Sequence, residues 1–274
     1  MAIMCPSLDH QEASLNGRST TTGTGMNQQS AESLKRERAR SVFPDLVTLE
    51  DETREVALGG SRRVSTLLSD RDALSIGGSA KVTALSFSNM HEHGDLLASF
   101  MRERKKVFID ELHWDLPTTD GMEFDQYDTP FAKWLVIHEF GKVLGGLRLS
   151  PTTAQVGIYS YMLRDAQNGI LANIPTDVLF IKAPVHENIW EGTRLFISDD
   201  VAASRRLSIQ MLLIHHLLVT ARELGASHLI GFVPSQWYRW IRRMDLQAVA
   251  IGPKVNIDGS VSQAALMKVI QFVN

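Results

Sequence analysis

The chain of 274 residues contains one cysteine, Cys5. A single thiol builds no disulfide framework and no thiolate zinc site, which fits a reducing compartment. No apolar run reaches the roughly 20 residues that a membrane helix requires, so no membrane partner is expected. The first thirty residues lack an apolar stretch behind a basic start, so no secretory signal is read there and a cytoplasmic location is expected. Aromatics are scarce at first. Of eleven Phe, five Trp and four Tyr, only Phe43 precedes residue 81, and no Trp precedes Trp114. Excess positive charge is also missing: the formal net charge of −3 argues against a nucleic-acid partner.

What is present is ordinary soluble composition, 44% hydrophobic and 22% charged, enough to bury a sizeable core. "RSTTTGTGMNQQS" is low-complexity polar sequence with no face to bury. Two charge-rich, weakly helical pieces follow, "AESLKRERARSVF" and "SRRVSTLLSDRDAL". Residues 1–80 therefore read as a disordered or loosely helical extension, and residues 81–274 as the folded unit.

Within that unit helix and strand periods alternate. "KVTALSF" reads as a strand and "HGDLLASFMRERKKVFIDEL" as a helix. Two strand-like runs flank Phe140-Gly141, which predicts a hairpin. "ENIWEGTRLFIS" is a further strand. The strongest helix is "SRRLSIQMLLIHHLLVTARELG", with Leu207, Met211, Ile214, Leu218 and Ala221 on one face and Gly225 as its stop. "HLIGFV" reads as a buried strand, "SQWYRWIRRM" as a short helix, and "QAVAIG" and "ALMKVIQFV" as a terminal strand pair around "NIDGS". The order predicts an α/β fold with a central, mixed, largely antiparallel sheet flanked by helices. It lacks the Gly-rich strand-to-helix turns of dinucleotide and P-loop folds.

"GMEFDQYD" places Glu123, Asp125 and Asp128 among aromatics. No His stands at ligand spacing and the calcium-loop pattern is not met, so no metal is expected. Arginine braces or a pocket for a cation suit the loop better, and Arg104, Arg148 and Arg194 are available partners.

Four ordered segments, "RERKKVFIDELHWD", "GMEFDQYD", "GGLRLSPT" and "WEGTRLFIS", resemble the acyl-homoserine-lactone synthases, the autoinducer synthase family. The residues that carry the likeness are Arg104, Phe108, Trp114, Asp125, Asp128, Arg148, Glu191, Thr193 and Arg194. The resemblance spans roughly residues 81–274 and implies a GNAT-like three-layer sandwich. It also implies a reaction: an acyl chain passes from acyl carrier protein to the amine of S-adenosylmethionine, then a homoserine lactone closes and methylthioadenosine leaves. S-adenosylmethionine is a substrate there, and no cofactor is implied.

Carried onto this chain, that chemistry needs a binding pocket more than a covalent nucleophile: an α-amine has a reference pKa of about 7.7–8.0, so a useful fraction is neutral near pH 7, and a positioned carboxylate or water takes the remaining proton. Glu191 is the first candidate and Glu123, acting through water, the second, with Arg148 beside them. The alternative for Glu191 is a strand carboxylate paired with Arg148 or Arg194. Arg104, Phe108, Trp114, Asp125, Asp128, Thr193 and Arg194 are candidates for holding S-adenosylmethionine; bracing of the fold and core packing are the competing readings. An acyl pocket is expected around Met211, Ile214, Leu229 and Gly231, and the absence of a side chain at Gly231 suggests no hydrogen bond to a 3-oxo group. Arg239, Arg242 and Arg243 form a basic helix face that suits an acidic carrier protein, or is simply a solvated face. Three features depart from the family: the long N-terminal extension, His113 where Gly commonly precedes the Trp, and Gly192 inside the Glu-x-Thr-Arg segment. Two other functions stay open, an acyltransferase for another amine without lactonisation, and a non-catalytic binding member.

Overall fold

The computed structural model describes residues 78–234, 237, 247–257 and 260–269. The proposed extension and the arginine-rich segment with Arg239, Arg242 and Arg243 lie outside these residues. All described residues belong to the unit Arg38–Asn274.

Strand β1 (Lys81–Leu85) leads to helix α1 (Leu96–Lys105), which widens into one π-helical turn over Lys106–Glu111. A small hairpin follows, β2 (Thr118–Thr119) and β3 (Met122–Glu123). The long hairpin of β4 (Lys133–Glu139) and β5 (Lys142–Pro151) precedes helix α2 (Met162–Gln167). Then come β6 (Ile189–Ile197), helix α3 (Ala203–Glu223), β7 (His228–Pro234), β8 (Ala248–Ile257) and β9 (Ser260–Lys268). Seven strands form one sheet in the order β1-β4-β5-β6-β7-β9-β8. Its neighbours are antiparallel except β6 and β7, which run parallel on either side of α3.

Side chains alternate across a strand, and three buried clusters follow that alternation. Leu135, Ile137, Leu147, Leu149, Leu229 and Met267 face α3 together with Ile209, Leu213 and Leu217. Their neighbours Trp134 and Val136 face the other way, onto Phe100 and Met101 of α1. Ile230 and Ala264 meet Leu163 and Ala166 of α2 on that same second face. The result is three layers, with α1 and α2 side by side on one face and α3 on the other. Among the described residues no helix is long and apolar enough to cross a membrane.

The buried face of α3 is rotated from the one the sequence suggests. Leu207 is 60% exposed, while Arg206, Ile209, Gln210 and Leu213 turn inward. The apolar residues of this helix nearly encircle it, so their spacing alone leaves the inward face open. Phe140 and Gly141 form the expected hairpin turn, both at positive φ (48° and 79°).

Two irregularities shape the centre of the sheet. Between the pairs Gly146–Phe196 and Arg148–Thr193, β6 carries one residue more than β5, a bulge that places Arg194 at φ 55°. On the other side, β6 and β7 pair only over Ile189–Glu191 and His228–Ile230 and then part.

Candidate active site

The acidic segment begins with a two-residue turn, Asp120 and Gly121, both at positive φ, between β2 and β3. Asp-Gly is a strong signal for such a turn, and it marks a small hairpin that the reading as a plain loop passes over. This hairpin delivers Glu123 to the centre of the molecule, and the following turn delivers Asp125 and Asp128. The Asp125 carboxylate accepts from the Tyr127 backbone N–H at 2.8 Å, and Asp128 accepts from the Asp125 N–H at 3.0 Å.

Three arginines reach these carboxylates from three elements. Arg104 comes from α1, Arg148 from β5 and Arg194 from the bulge in β6. Arg104 bonds Glu123 and, at 2.8 Å, Asp128. Arg148 lies 2.9 Å from Asp128 and also bonds Asp125. Arg194 lies 2.9 Å from Asp125 and 3.1 Å from Glu123. The contacts close into a ring in which cation and anion alternate: Arg104, Glu123, Arg194, Asp125, Arg148, Asp128. Formal charge within it balances, and all six members except Arg194 are buried.

Aromatic rings extend the arrangement. The guanidinium of Arg104 lies 5.8 Å from the Phe100 ring centre, that of Arg148 lies 5.6 Å from Tyr127, and that of Arg194 lies 5.8 Å from Phe108. The Trp134 indole donates to Asp128 at 3.0 Å and the Arg148 Nε donates to Thr193 at 3.0 Å. Burial opposes ionisation of Asp125 and Asp128, but the adjoining guanidiniums win and hold both carboxyls below their ordinary range.

The bulge is what completes the ring. The extra residue lets consecutive side chains, Thr193 and Arg194, both serve the α1 face, where strict alternation would turn one of them away. Left-handed backbone at a non-glycine residue is costly and concentrates at functional sites. His113 is a second case, at φ 58°. Glycine adopts that conformation without strain, which gives a physical reason for the glycine that the family resemblance implies there.

Glu191 stands two rungs from the Arg148–Thr193 pair, on the last rung shared by β6 and β7. It is 1% exposed. Its oxygens accept from the backbone N–H groups of Met162 and Leu163, at 2.9 Å each, in the first turn of α2. Among the described residues no guanidinium is within ion-pair distance of it, so the alternative pairing with Arg148 or Arg194 is not found. Burial pushes its pKa up to about 7, held back by those two N–H groups and by the charge of Arg148. Glu123 differs sharply: guanidiniums occupy both its oxygens, so it is poorly placed to take a proton. Phe108 is a core residue, and Trp114 stacks on it at 5.0 Å while remaining half-buried.

Several residues here escape sequence reasoning. Asp165 in α2 is buried and accepts from Ser160 Oγ at 2.6 Å and Tyr127 Oη at 3.0 Å. Ser150, cross-strand from Glu191, is buried, and its hydroxyl has no hydrogen-bond partner among the described residues. The signal for α2 is Gly169 after "SYMLRDAQN": its φ of 73° and the Ile170 N–H to Asp165 O bond close the helix.

The expected acyl-pocket residues are divided. Ile214 and Leu229 share the buried cluster on the α3 side, and Met211 is half-buried. Gly231 has a backbone explanation: a Cβ there would lie 2.9 Å from the carbonyl oxygen of Gly192. That close approach accounts for the missing side chain without reference to the oxidation of an acyl chain. Among the described residues no group of three or more His, Cys, Asp or Glu is arranged to hold a metal ion.

A sheet held between two helical layers, whose central parallel strands part beside buried titratable groups, is the GNAT-like fold. The autoinducer synthase family model matches residues 88–259, and the chain belongs to that family. It is 30% identical over 176 residues to the acyl-homoserine-lactone synthase of Vibrio anguillarum, covering 61% of this chain and 83% of that one. Among solved structures it is similar to TofI in a ternary complex with an inhibitor and MTA. The identity there is 26% and the TM-score 0.53, over 69% of this chain and 91% of that one. It shares its fold with BjaI, a CoA-dependent acyl-homoserine lactone synthase solved with SAM and isopentyl-CoA. In that case the identity is 24% and the TM-score 0.56, over 70% and 84% of the chains.

Proposed function

We propose that the protein is an acyl-homoserine-lactone synthase. It transfers an acyl chain from the thioester of acyl carrier protein to the amine of S-adenosylmethionine, and the product lactonises with release of methylthioadenosine, giving a quorum-sensing signal. The observation that carries the reading is Glu191, a buried carboxylate with a pKa raised to about 7, fixed where β6 and β7 part.

In this mechanism Glu191 accepts a proton from the substrate ammonium, directly or through one water. The amine nitrogen attacks the thioester carbonyl, the carbon–sulfur bond breaks, and the proton held by Glu191 goes to the departing thiolate, while the nitrogen gives up its second proton to water as the amide forms. Backbone N–H groups freed where β6 leaves β7 are suited to the oxyanion. The methionine carboxylate then attacks the carbon beside the sulfonium, and that carbon–sulfur bond breaks to leave neutral methylthioadenosine. The electron pair of each new bond to carbon is supplied by the substrates.

The arginine–carboxylate ring sits on the floor of this site. Its charges balance internally, so its first role is to fix Arg148, Thr193 and Arg194 beside Glu191. The partly exposed Trp114 ring, backed by Phe108, offers a wall for the adenosyl group. Ser150 Oγ, a hydroxyl next to the base without a partner among the described residues, suits a polar atom of the same substrate.

Carrier protein is our reading of the donor; coenzyme A is the second reading, favoured by the CoA-dependent relative. The test is incubation of purified protein with S-adenosylmethionine and a panel of acyl thioesters on both carriers, with mass spectrometry of the products. Acyl-homoserine lactone together with methylthioadenosine is the expected result. An acylated amine without methylthioadenosine would point to a non-lactonising acyltransferase, and no product from any donor would remove the enzymatic reading.

A further inference from the structure

Trp190 pairs with Leu229 on the rung before Glu191, close to where β6 and β7 part. Alternation along β6 turns Trp190 and Gly192 to the α3 face, where Leu149, Ile214 and Leu229 are packed with the indole. Trp190 is 8% exposed, and its Nε1–H has no hydrogen-bond partner among the described residues. Tryptophan N–H groups usually find a partner when buried, and an unpaired one costs stability that phenylalanine would not.

Gly192, next on that face, is equally unaccounted for among the described residues. Its backbone is not among the positive-φ glycines, and a Cβ there would meet nothing nearer than Leu149 Cδ2, at 3.9 Å. Glycine inside a strand is destabilising unless something approaches closely. An unmatched donor and an unfilled position thus occur together, on one face, beside the parting strands.

We propose that Trp190 Nε1–H donates a hydrogen bond to a keto oxygen on the donor's acyl chain, with the chain lying over Gly192. The protein then favours 3-oxo-acyl thioesters over saturated ones of equal length. This specificity rests on the acyl-transfer reading above. A saturated chain leaves the indole unpaired in an apolar cluster, whereas a keto chain satisfies it, and a site built around a hydrogen bond discriminates against the analogue that lacks it.

The test compares matched 3-oxo and saturated acyl donors with wild type and Trp190→Phe, reading kcat/KM from lactone formation and folding from thermal melting. Wild type is expected to favour the 3-oxo donor by roughly tenfold, the equivalent of one hydrogen bond at about 1.4 kcal/mol. In Trp190→Phe that ratio is expected to fall toward unity. A wild-type ratio at or below unity overturns the proposal on its own, whether or not the variant folds. A ratio that survives unchanged in a normally melting Trp190→Phe also overturns it, as does equal loss on both donors. Absence of lactone and methylthioadenosine from every donor would instead overturn the acyl-transfer reading, and the specificity with it.

Discussion

Single residues carry the sharpest consequences, because two kinds of buried carboxylate sit side by side with opposite electrostatics. Glu191 titrates near 7, above its ordinary 4.5, so the folded chain holds that proton more tightly than the unfolded one. Its contribution to stability is complete below the ordinary value and is lost as pH rises through about 7. The ionised form that catalysis needs is thus the form the fold disfavours. Turnover should rise with pH through an apparent pKa near 7, and Glu191→Gln should remove that limb and lower kcat by about a hundredfold or more, with the fold intact. Near-normal turnover in a folded Glu191→Gln protein would take this residue out of the mechanism. Asp125 and Asp128 behave in reverse. Their carboxyls are held low by the arginines, so their contribution is present above the ordinary carboxylate range and disappears as pH falls below it. Removing one member of a buried ion network leaves a partner uncompensated and costs about 3–5 kcal/mol. Asp128→Asn should therefore lower denaturant stability by that order at neutral pH, with the gap to wild type narrowing in acid. Equal stability at neutral pH would mean that the ring does not brace the fold.

Elements show how far the sequence is legible. The hairpin at Phe140-Gly141, the long helix after β6 and the mixed, mostly antiparallel sheet all follow from local period and turn chemistry. The inward face of α3 does not, because Leu207 and Leu213 are equally apolar and only the sheet decides between them. In the site, the arginines and carboxylates stand out as residue types, but their closure into a ring depends on one extra residue in β6, a matter of register between strands. Helix α2 is not legible in the sequence because six residues carry little periodicity, and neither are the two N–H groups that hold Glu191. The parting of β6 from β7 makes a prediction at this scale. Gly231→Ala must force its Cβ against the Gly192 carbonyl at 2.9 Å, whereas Gly192→Ala meets only an ordinary contact at 3.9 Å. The first substitution should lower the melting temperature and the second should not. Equal melting of the two variants would show that the strands yield freely there.

At the scale of the whole molecule, the core described here, the ring and Glu191 are built from residues between 78 and 269, and the family match covers residues 88–259. The edge of this unit is not Lys81, where the first strand begins. Ala80 is buried in the cluster beneath α3, and the Ser79 hydroxyl donates to Glu139, whose carboxylate also pairs with Arg205 of α3 at 2.9 Å. These contacts tie the entry of β1 to the hairpin and to the long helix, so a cut just before Gly78 differs physically from one just after Ala80. Removing residues 1–77 should keep kcat within about twofold of the full chain, since every described element of core and site is retained. Removing residues 1–80 takes away a buried methyl and the Ser79 bond, and should lower the melting temperature measurably. Paired melting and turnover measurements on the two truncations decide the matter. Loss of folding or of turnover in the shorter deletion would mean that the first 77 residues belong to the catalytic unit, and equal melting of both would deny Ala80 and Ser79 their part in closing it.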